Sequence, residues 1–339
     1  MEDVMRAVQA VEFGGPEVLT VREVPEPVAG AGQVVVEVAA ADVMFLDTRL
    51  RSGWGSDFFP LEPPYVPGGA VAGVVRAVGA DVDPSWVGRR VATATAASRV
   101  GGGKPIGGYA EKALANVDSL TEVPEGLSSE QAVALTHDGK TALALFDRAA
   151  VQPGEWVLIT AAGGGLGTLL IQLVRAAGAH VIAAARGRAK LELAQRLGAD
   201  VVVDYSEPGW VAAARAATGG TGAQVVLDGA GGALGEAALA AVAAHGRFLG
   251  YGGSAGEFAV PDADVVAAHD ITVYGLFDLT NSDTDWQELA ERSLAEAVAG
   301  RLEVVIGQTF SLDEAARAHA AIESRTALGR TLLTIESTV

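Results

Sequence analysis

The rhythm of apolar and polar positions changes near residue 128. Before it, short runs such as QVVVEVAA (33–40) and VAGVVRAVG (71–79) are punctuated by EVPEPVAGAGQ (23–33) and LEPPYVPGG (61–69). Short strands between Gly and Pro turns predict a small β-rich domain over residues 1–127. After it, alanine-rich helical periodicity alternates with short β-branched strands, which predicts a parallel sheet with crossover helices over 128–277. The predicted strands are Trp156 to Ala161, His180 to Ala185, Val201 to Asp204, Gln224 to Asp228, Gly246 to Tyr251 and Ile271 to Gly275. Six strands separated by helices fit one doubly wound α/β sheet. Residues 278–339 hold a helical stretch, DTDWQELAERSLAEAVAGRL, and a closing GRTLLTIE. They are too few for a domain and are expected to fold back onto the first.

Composition narrows the chemistry. Half of the 339 residues are apolar, enough for two cores, and no uninterrupted apolar run reaches the ~18 residues of a membrane span. The first residues, MEDVMRAVQAVEFGG, carry charges where a signal peptide has an apolar core, so a cytoplasmic protein is expected. The formal net charge of −18 disfavours nucleic acid as a partner and makes any basic cluster informative. There is no cysteine, which removes disulfides, thiolate nucleophiles and thiolate metal sites.

A glycine-rich motif, ITAAGGGLG (159–167), lies between a strand and a helix. Ala162, Gly164 and Gly167 fill the three positions of a dinucleotide fingerprint, with alanine in the first. Gly164 lets the backbone approach a pyrophosphate at a helix N-terminus near Leu166, and Gly165 and Leu166 are counted as contacts beside it. Packing of strand on helix alone would also use such glycines, but strand, helix and second strand at the right distances favour the nucleotide. The second strand ends in Ala185 and Arg186, followed by Arg188 and Lys190, where an NAD site places an acidic residue. Three cations within five residues of an acidic protein fit a 2′-phosphate better than a hydroxyl, so NADPH is the expected cofactor. The alternative is a solvated first helical turn. GYGGSAG (250–256) follows the fifth strand, and its Tyr251 and Gly252 are further expected contacts. GGGKPIGG (101–108) leads into YAEKALAN, a strand entry rather than a phosphate loop.

Several segments, in order along nearly the whole chain, resemble one family: FGGPEVLTVREVPEPVAGAGQVVVEVAAADV, FLDTRLRSG, PYVPGGAVAGVV, GGYAEKA, AAGGGLGTLLIQLVRAAGAHVIA, LGADVVVDY, GRFLGYGGSAG and FSLDEAARAHAAIESRTALGRTLL. The chain is similar to the zinc-independent, quinone oxidoreductase branch of the medium-chain dehydrogenase/reductase superfamily. That resemblance implies a split GroES-like catalytic domain, an inserted Rossmann domain and a homodimer joined at outer sheet edges; ITVYGLF, Ile271 to Phe277, is an apolar strand that would otherwise leave such an edge unpaired. Zinc-using members carry cysteine near Ala41 to Met44 and Gly-His-Glu where this chain has Gly68-Gly69-Ala70. With histidines only at 137, 180, 245, 269 and 319, no metal is expected. The resemblance also matches Lys190 and Tyr205 to contacts of the 2′-phosphate and adenine region, and Thr141 to a threonine near the nicotinamide. Met44 stands where many relatives have asparagine and Arg49 where they often have tyrosine, both beside the substrate pocket.

The implied activity is hydride transfer from NADPH to a quinone or an α,β-unsaturated carbonyl, acceptors that delocalise the developing charge without a metal. Trp54, Phe58, Phe59, Tyr65 and Phe277 are aromatic candidates for the pocket or the core, Phe277 also for the cofactor. In LTHDGKTALAL, His137 and Asp138 precede Thr141. They either supply a proton or only orient the helix carrying Thr141. The competing functions are an NADPH-binding sensor or structural protein without turnover, and a methyltransferase, against which the missing acid after the second strand counts.

Overall fold

The computed structural model describes residues 3–55, 57, 60–95, 106–280 and 284–336. Two of the aromatic candidates, Phe58 and Phe59, lie outside the described residues. The chain forms two compact units, one of Met1–Lys140, Trp286–Gly300 and Val304–Val339, the other of Thr141–Asp285 and Arg301–Glu303.

The first unit begins with β1 (Val4–Ala10) and β2 (Leu19–Pro25), an antiparallel pair. It continues through β3 (Gln33–Val43), α1 (Phe45–Arg51), β4 (Ala70–Val78), β5 (Arg90–Ala94), β6 (Lys112–Asn116), β7 (Leu120–Glu122) and the start of α2 (Ser129–Ala149). The eleven-residue β3 organises it, pairing with β4 on one side and carrying β6 on the path's flank. Val34, Val36 and Val38 alternate into the core, as the two-residue period of a strand requires. Register shifts interrupt the β3–β4 ladder, and there Gly73 is obligatory: a Cβ would stand 1.8 Å from the Glu37 carbonyl oxygen.

In the second unit, chain order gives β8 (Trp156–Thr160), α3 (Gly165–Ala176), β9 (His180–Ala185), α4 (Arg188–Arg196), β10 (Val201–Asp204), α5 (Trp210–Ala217), β11 (Ala223–Asp228), α6 (Gly232–Leu239), β12 (Val242–Gly250), α7 (Ala263–Ala268), β13 (Thr272–Gly275) and α8 (Leu276–Thr280). The six strands form one parallel sheet in the order β10-β9-β8-β11-β12-β13. Their interiors, VLI in β8 and VIAAA in β9, are fully buried, because a sheet covered on both faces needs continuous apolar runs. The chain winds outward from β8 to β10 and then returns to the other side of β8, so the topological switch lies between β8 and β11.

The returning segment supplies α9 (Trp286–Val298), β14 (Ile306–Ser311), α10 (Ala315–Glu323) and β15 (Arg330–Thr334) to the first unit. Antiparallel pairing of β15 with β3 buries Leu332 and Leu333 completely. Burying each such side chain contributes about 1.5–3 kcal/mol relative to exposure. The change of texture at residue 128 coincides with the start of α2, whereas the units divide inside that helix, between Lys140 and Thr141. The first turns of α2 are helical in composition yet pack within the β-rich unit. Among the described residues, no helix is long and apolar enough to cross a membrane.

Candidate functional site

The glycine loop lies at the C-terminal end of β8, next to the switch point. Ala161 turns the chain with φ 51°, a left-handed conformation, and its carbonyl accepts from the Gly164 N–H at 3.1 Å. Helix α3 begins at Gly165, one residue before the expected position, with Gly164 as N-cap and no side chain capping its N–H groups. A Cβ on Gly167 would lie 2.7 Å from the Ala161 oxygen and 2.8 Å from the Ala162 Cα, so this glycine serves close packing of helix on strand. At Gly164 the nearest atom to a Cβ is 3.5 Å away, an ordinary contact. Packing therefore does not demand glycine at 164, while approach of a phosphate to uncapped N–H groups does.

The basic cluster separates into three environments. A Cβ on Gly163 would stand 2.6 Å from Lys190 Cβ and 2.7 Å from its Cγ, so the half-buried lysine stem lies directly against the loop. Arg186 is exposed, and its charge acts on Asp204 at the end of β10. Arg188 is 90% exposed and paired to Glu192 at 2.6 Å, one helical turn away. Desolvation pushes Asp204 up, but hydrogen bonds from Ser206 and from the Gly187 N–H, together with Arg186, hold it below the usual carboxylate range. Tyr205 follows, its N–H donating to the Ala185 carbonyl at 3.2 Å and its ring edge-on to Trp210. Lys190, Arg186 and Tyr205 thus gather around the ends of β9 and β10.

A buried polar node that the sequence reading missed holds the neighbouring loops. Thr160, the last residue of β8, donates to the Asp228 carboxylate at 2.5 Å and accepts from the Gly229 and Ala230 N–H groups at 3.0 and 3.1 Å. Burial raises the Asp228 pKa, against hydrogen bonds from Thr160 and from the N–H groups of Gly231 and Ala230. Tyr251 lies over Gly229, where a Cβ would be 2.6 Å from its hydroxyl, and a Cβ on Gly252 would be 2.5 Å from the Gly229 oxygen. The loops after β8, β11 and β12 are tied together at one sheet edge. Phe277, in α8 just beyond β13, is 68% exposed.

In the first unit, His137 and Asp138 are both committed to contacts. The His137 Nε2 lies 3.4 Å from the Gly69 carbonyl, which only accepts, so this nitrogen carries the hydrogen. Burial, reinforced by the charges of Lys140 and Arg330, lowers the ring to about 3, so the imidazole is neutral at pH 7. Asp138 accepts from Arg330 at 2.9 Å, and the other face of the guanidinium engages both oxygens of fully buried Asp42. Burial raises Asp42 to about 7 against the opposing pull of Arg330. Met44 caps α1 by donating its N–H to Asp47 at 2.8 Å, Arg49 stacks 4.9 Å over the Trp54 ring, and Tyr65 is buried. Thr141 is half-buried within α2. Among the described residues, no three His, Asp or Glu side chains are grouped to hold a metal ion.

Residues 30–125 match the alcohol dehydrogenase GroES-like domain, and residues 165–295 match the zinc-binding dehydrogenase family. The chain is 33% identical over 338 residues to a quinone oxidoreductase of Sus scrofa, covering 98% of both chains. The chain belongs to the medium-chain dehydrogenase/reductase superfamily, in its quinone oxidoreductase-like branch. A 2-haloacrylate reductase of a Burkholderia species is also 33% identical, over 94% of this chain and 96% of its own. Among solved structures, Escherichia coli quinone oxidoreductase complexed with NADPH superposes with TM-score 0.86 at 27% identity, over 97% of this chain and 99% of that one. The GroES-like and Rossmann architecture expected of the family is the one observed.

Proposed function

We propose that this oxidoreductase uses NADPH to reduce quinones or α,β-unsaturated carbonyl compounds, without zinc. The observation that carries the reading is the phosphate cradle: an unfilled position at Gly164, the uncapped start of α3, and the Lys190 stem laid against Gly163. These groups fit a dinucleotide bearing a 2′-phosphate. The N–H groups of Gly165, Leu166 and Gly167 bind the pyrophosphate, Lys190 and Arg186 bind the 2′-phosphate, and Tyr205 flanks the adenine. The Thr160–Asp228 node keeps the loops holding Ala162, Tyr251 and Gly252 in place. NADPH, when bound, supplies a hydride.

The acceptor must tolerate what the first unit offers. A neutral His137 hydrogen-bonded to Gly69 is a weak proton donor at pH 7, and Asp138 is held by Arg330. With no cysteine and with Gly68-Gly69-Ala70 at the family's Gly-His-Glu position, the chain lacks the ligands with which zinc-using relatives polarise a carbonyl. Quinones and enones, which spread the developing charge themselves, suit such a site, and Met44, Arg49, Trp54 and Tyr65 are the proposed pocket residues. The protein is proposed to act as a homodimer through β13, one of the two edge strands of its sheet, where Val273 is exposed.

The test is NADPH oxidation, with product identification, across matched quinones, enones, saturated ketones and secondary alcohols. Turnover should rise with acceptor electrophilicity and stay near background for the last two groups. Efficient oxidation of a secondary alcohol by the zinc-free protein would overturn the reading. NADPH binding without turnover of any acceptor would favour a sensor instead. Light scattering at micromolar concentration checks the dimer.

A further inference from the structure

The first unit contains a cavity of about 330 Å³ bordered by Lys140 and Thr136 of α2, Ala94 of β5, Thr121 of β7, and Trp286 and Leu294 of α9. Helices α2 and α9 meet at its edge so closely that a Cβ on Gly139 would stand 2.6 Å from the Ser293 hydroxyl. Lys140 shares a stripe of α2 with Ala132 and Thr136, one face away from His137 and Thr141.

Several other polar side chains around this space are already bonded. The Ser119 hydroxyl is 2.9 Å from that of Thr93, Thr136 donates to the Ala132 carbonyl at 3.2 Å, Ser293 to the Ala290 carbonyl at 2.8 Å, and Gln287 to the Leu120 carbonyl at 3.1 Å. Lys140 differs. It is half-buried, has no hydrogen bond or ion pair among the described residues, and burial alone lowers its pKa. Asp118, the one acid among the lining residues, is exposed and forms no ion pair with it. Among the described residues Lys140 is thus a half-enclosed ammonium facing a cavity without a bonding partner, a lack that a ligand's carboxylate would fill.

We propose that this cavity binds a small monocarboxylate with an apolar body, its carboxylate on the Lys140 ammonium and its hydrocarbon against Ala94, Leu135, Leu294 and Trp286. The volume lies near the lower end of small-molecule sites, about 300–1,000 Å³, which limits the ligand to a short-chain or single-ring acid. Asp118 in the same wall disfavours phosphates and dicarboxylates, whose second charge it would repel. The site shares no residue with the cofactor cradle.

Isothermal titration calorimetry of the whole protein with hexanoate and benzoate, and with hexanamide and benzamide as neutral isosteres, tests this. One carboxylate should bind per chain, at least about tenfold tighter than its amide. Lys140→Met should weaken carboxylate binding about ten- to a hundredfold. Ala290→Phe, which fills the cavity and leaves the lysine, should abolish it, while Lys190→Ala in the cofactor cradle should leave it unchanged. Equal affinity for acid and amide, no saturation by either acid, or binding lost with Lys190→Ala rather than with the cavity variants would each overturn the proposal. The acid–amide comparison uses unmodified protein, so it decides even if a variant fails to fold.

Discussion

Lys190→Ala separates the basic residues near β9 by what the structure assigns to each. Lys190 alone of the three has its stem against the glycine loop, within 2.6 Å of where a Gly163 Cβ would be. Its ammonium is therefore tethered near the loop, whereas the Arg188 guanidinium is 90% exposed and already shared with Glu192. One charge-assisted hydrogen bond to a phosphate contributes about 1.5–3 kcal/mol, so Lys190→Ala should weaken NADPH binding about ten- to a hundredfold. Arg188→Ala should cost less than about fivefold, the range of an exposed pair. NADH lacks the 2′-phosphate, and its affinity should stay within about twofold in both variants, since neither change touches the N–H groups of α3. The assay is titration followed by nicotinamide fluorescence at two salt concentrations, because the added 2′-phosphate charge should make NADPH affinity fall more steeply with salt than NADH affinity. Equal losses of NADPH and NADH affinity would mean that Lys190 shapes the loop and recognises no phosphate. A larger loss from Arg188→Ala would place the phosphate elsewhere.

Gly167→Ala should destabilise the protein by about 1–3 kcal/mol in urea denaturation and lower affinity for both nucleotides, because a Cβ meets backbone at 2.7 Å. Arg330→Met leaves Asp42 and Asp138 buried without their cation and should cost about 3–5 kcal/mol at pH 7, read as a lower urea midpoint, with a smaller loss at pH 5 where the carboxyls can take up protons. Burial raises Asp47 to about 7, against bonds from the Met44 N–H and Tyr109, so its stabilising contribution is full below its unfolded pKa near 3.8 and is lost as pH rises through 7. Asp47→Asn should flatten that part of the pH–stability curve between pH 4 and 7. His137→Asn should lower kcat by less than about a hundredfold, the lower bound for a general acid. It should also leave the pH–rate profile unchanged between pH 5 and 8, since the native imidazole titrates near 3.

Local pattern carried the second unit well and its polar nodes poorly. Strand β9 coincides with its predicted bounds, His180 to Ala185, because an apolar run between turns has one reading when both faces are covered. Strand β12 begins at Val242, four residues earlier than Gly246, because an irregular stretch with His245 at φ 60° breaks the alternation after Val242 and the register with β11 resumes only at Arg247. The Thr160–Asp228 pair closes on residues 68 apart, at the ends of two strands that only the switch in topology makes neighbours. A polar residue closing an apolar run, as Thr160 does after Val157–Ile159 and Asp228 after Val225–Leu227, was the available signal. Arg330 and Asp42 are 288 positions apart, and no local spacing could pair them.

That long-range ion cluster bears on how α2 works. Asp42 lies on β3 and Arg330 on the adjacent β15, so the guanidinium is fixed to the sheet before it meets the helix. Its third contact, Asp138, is expected to set the rotation of α2 about its own axis. With about 100° of turn per residue, that one contact also decides where the neighbouring side chains stand. His137 falls beside the Gly69 carbonyl, and Lys140 falls into the cavity beneath α9. On that expectation the cluster acts as a positioning device. If Arg330→Lys preserves folding, its single point charge cannot hold both carboxylates in a fixed plane. The His137 ring should then lose its Gly69 contact, visible as a changed imidazole nitrogen resonance. An unchanged resonance would mean that the packing of α2, and not the ion cluster, orients the helix.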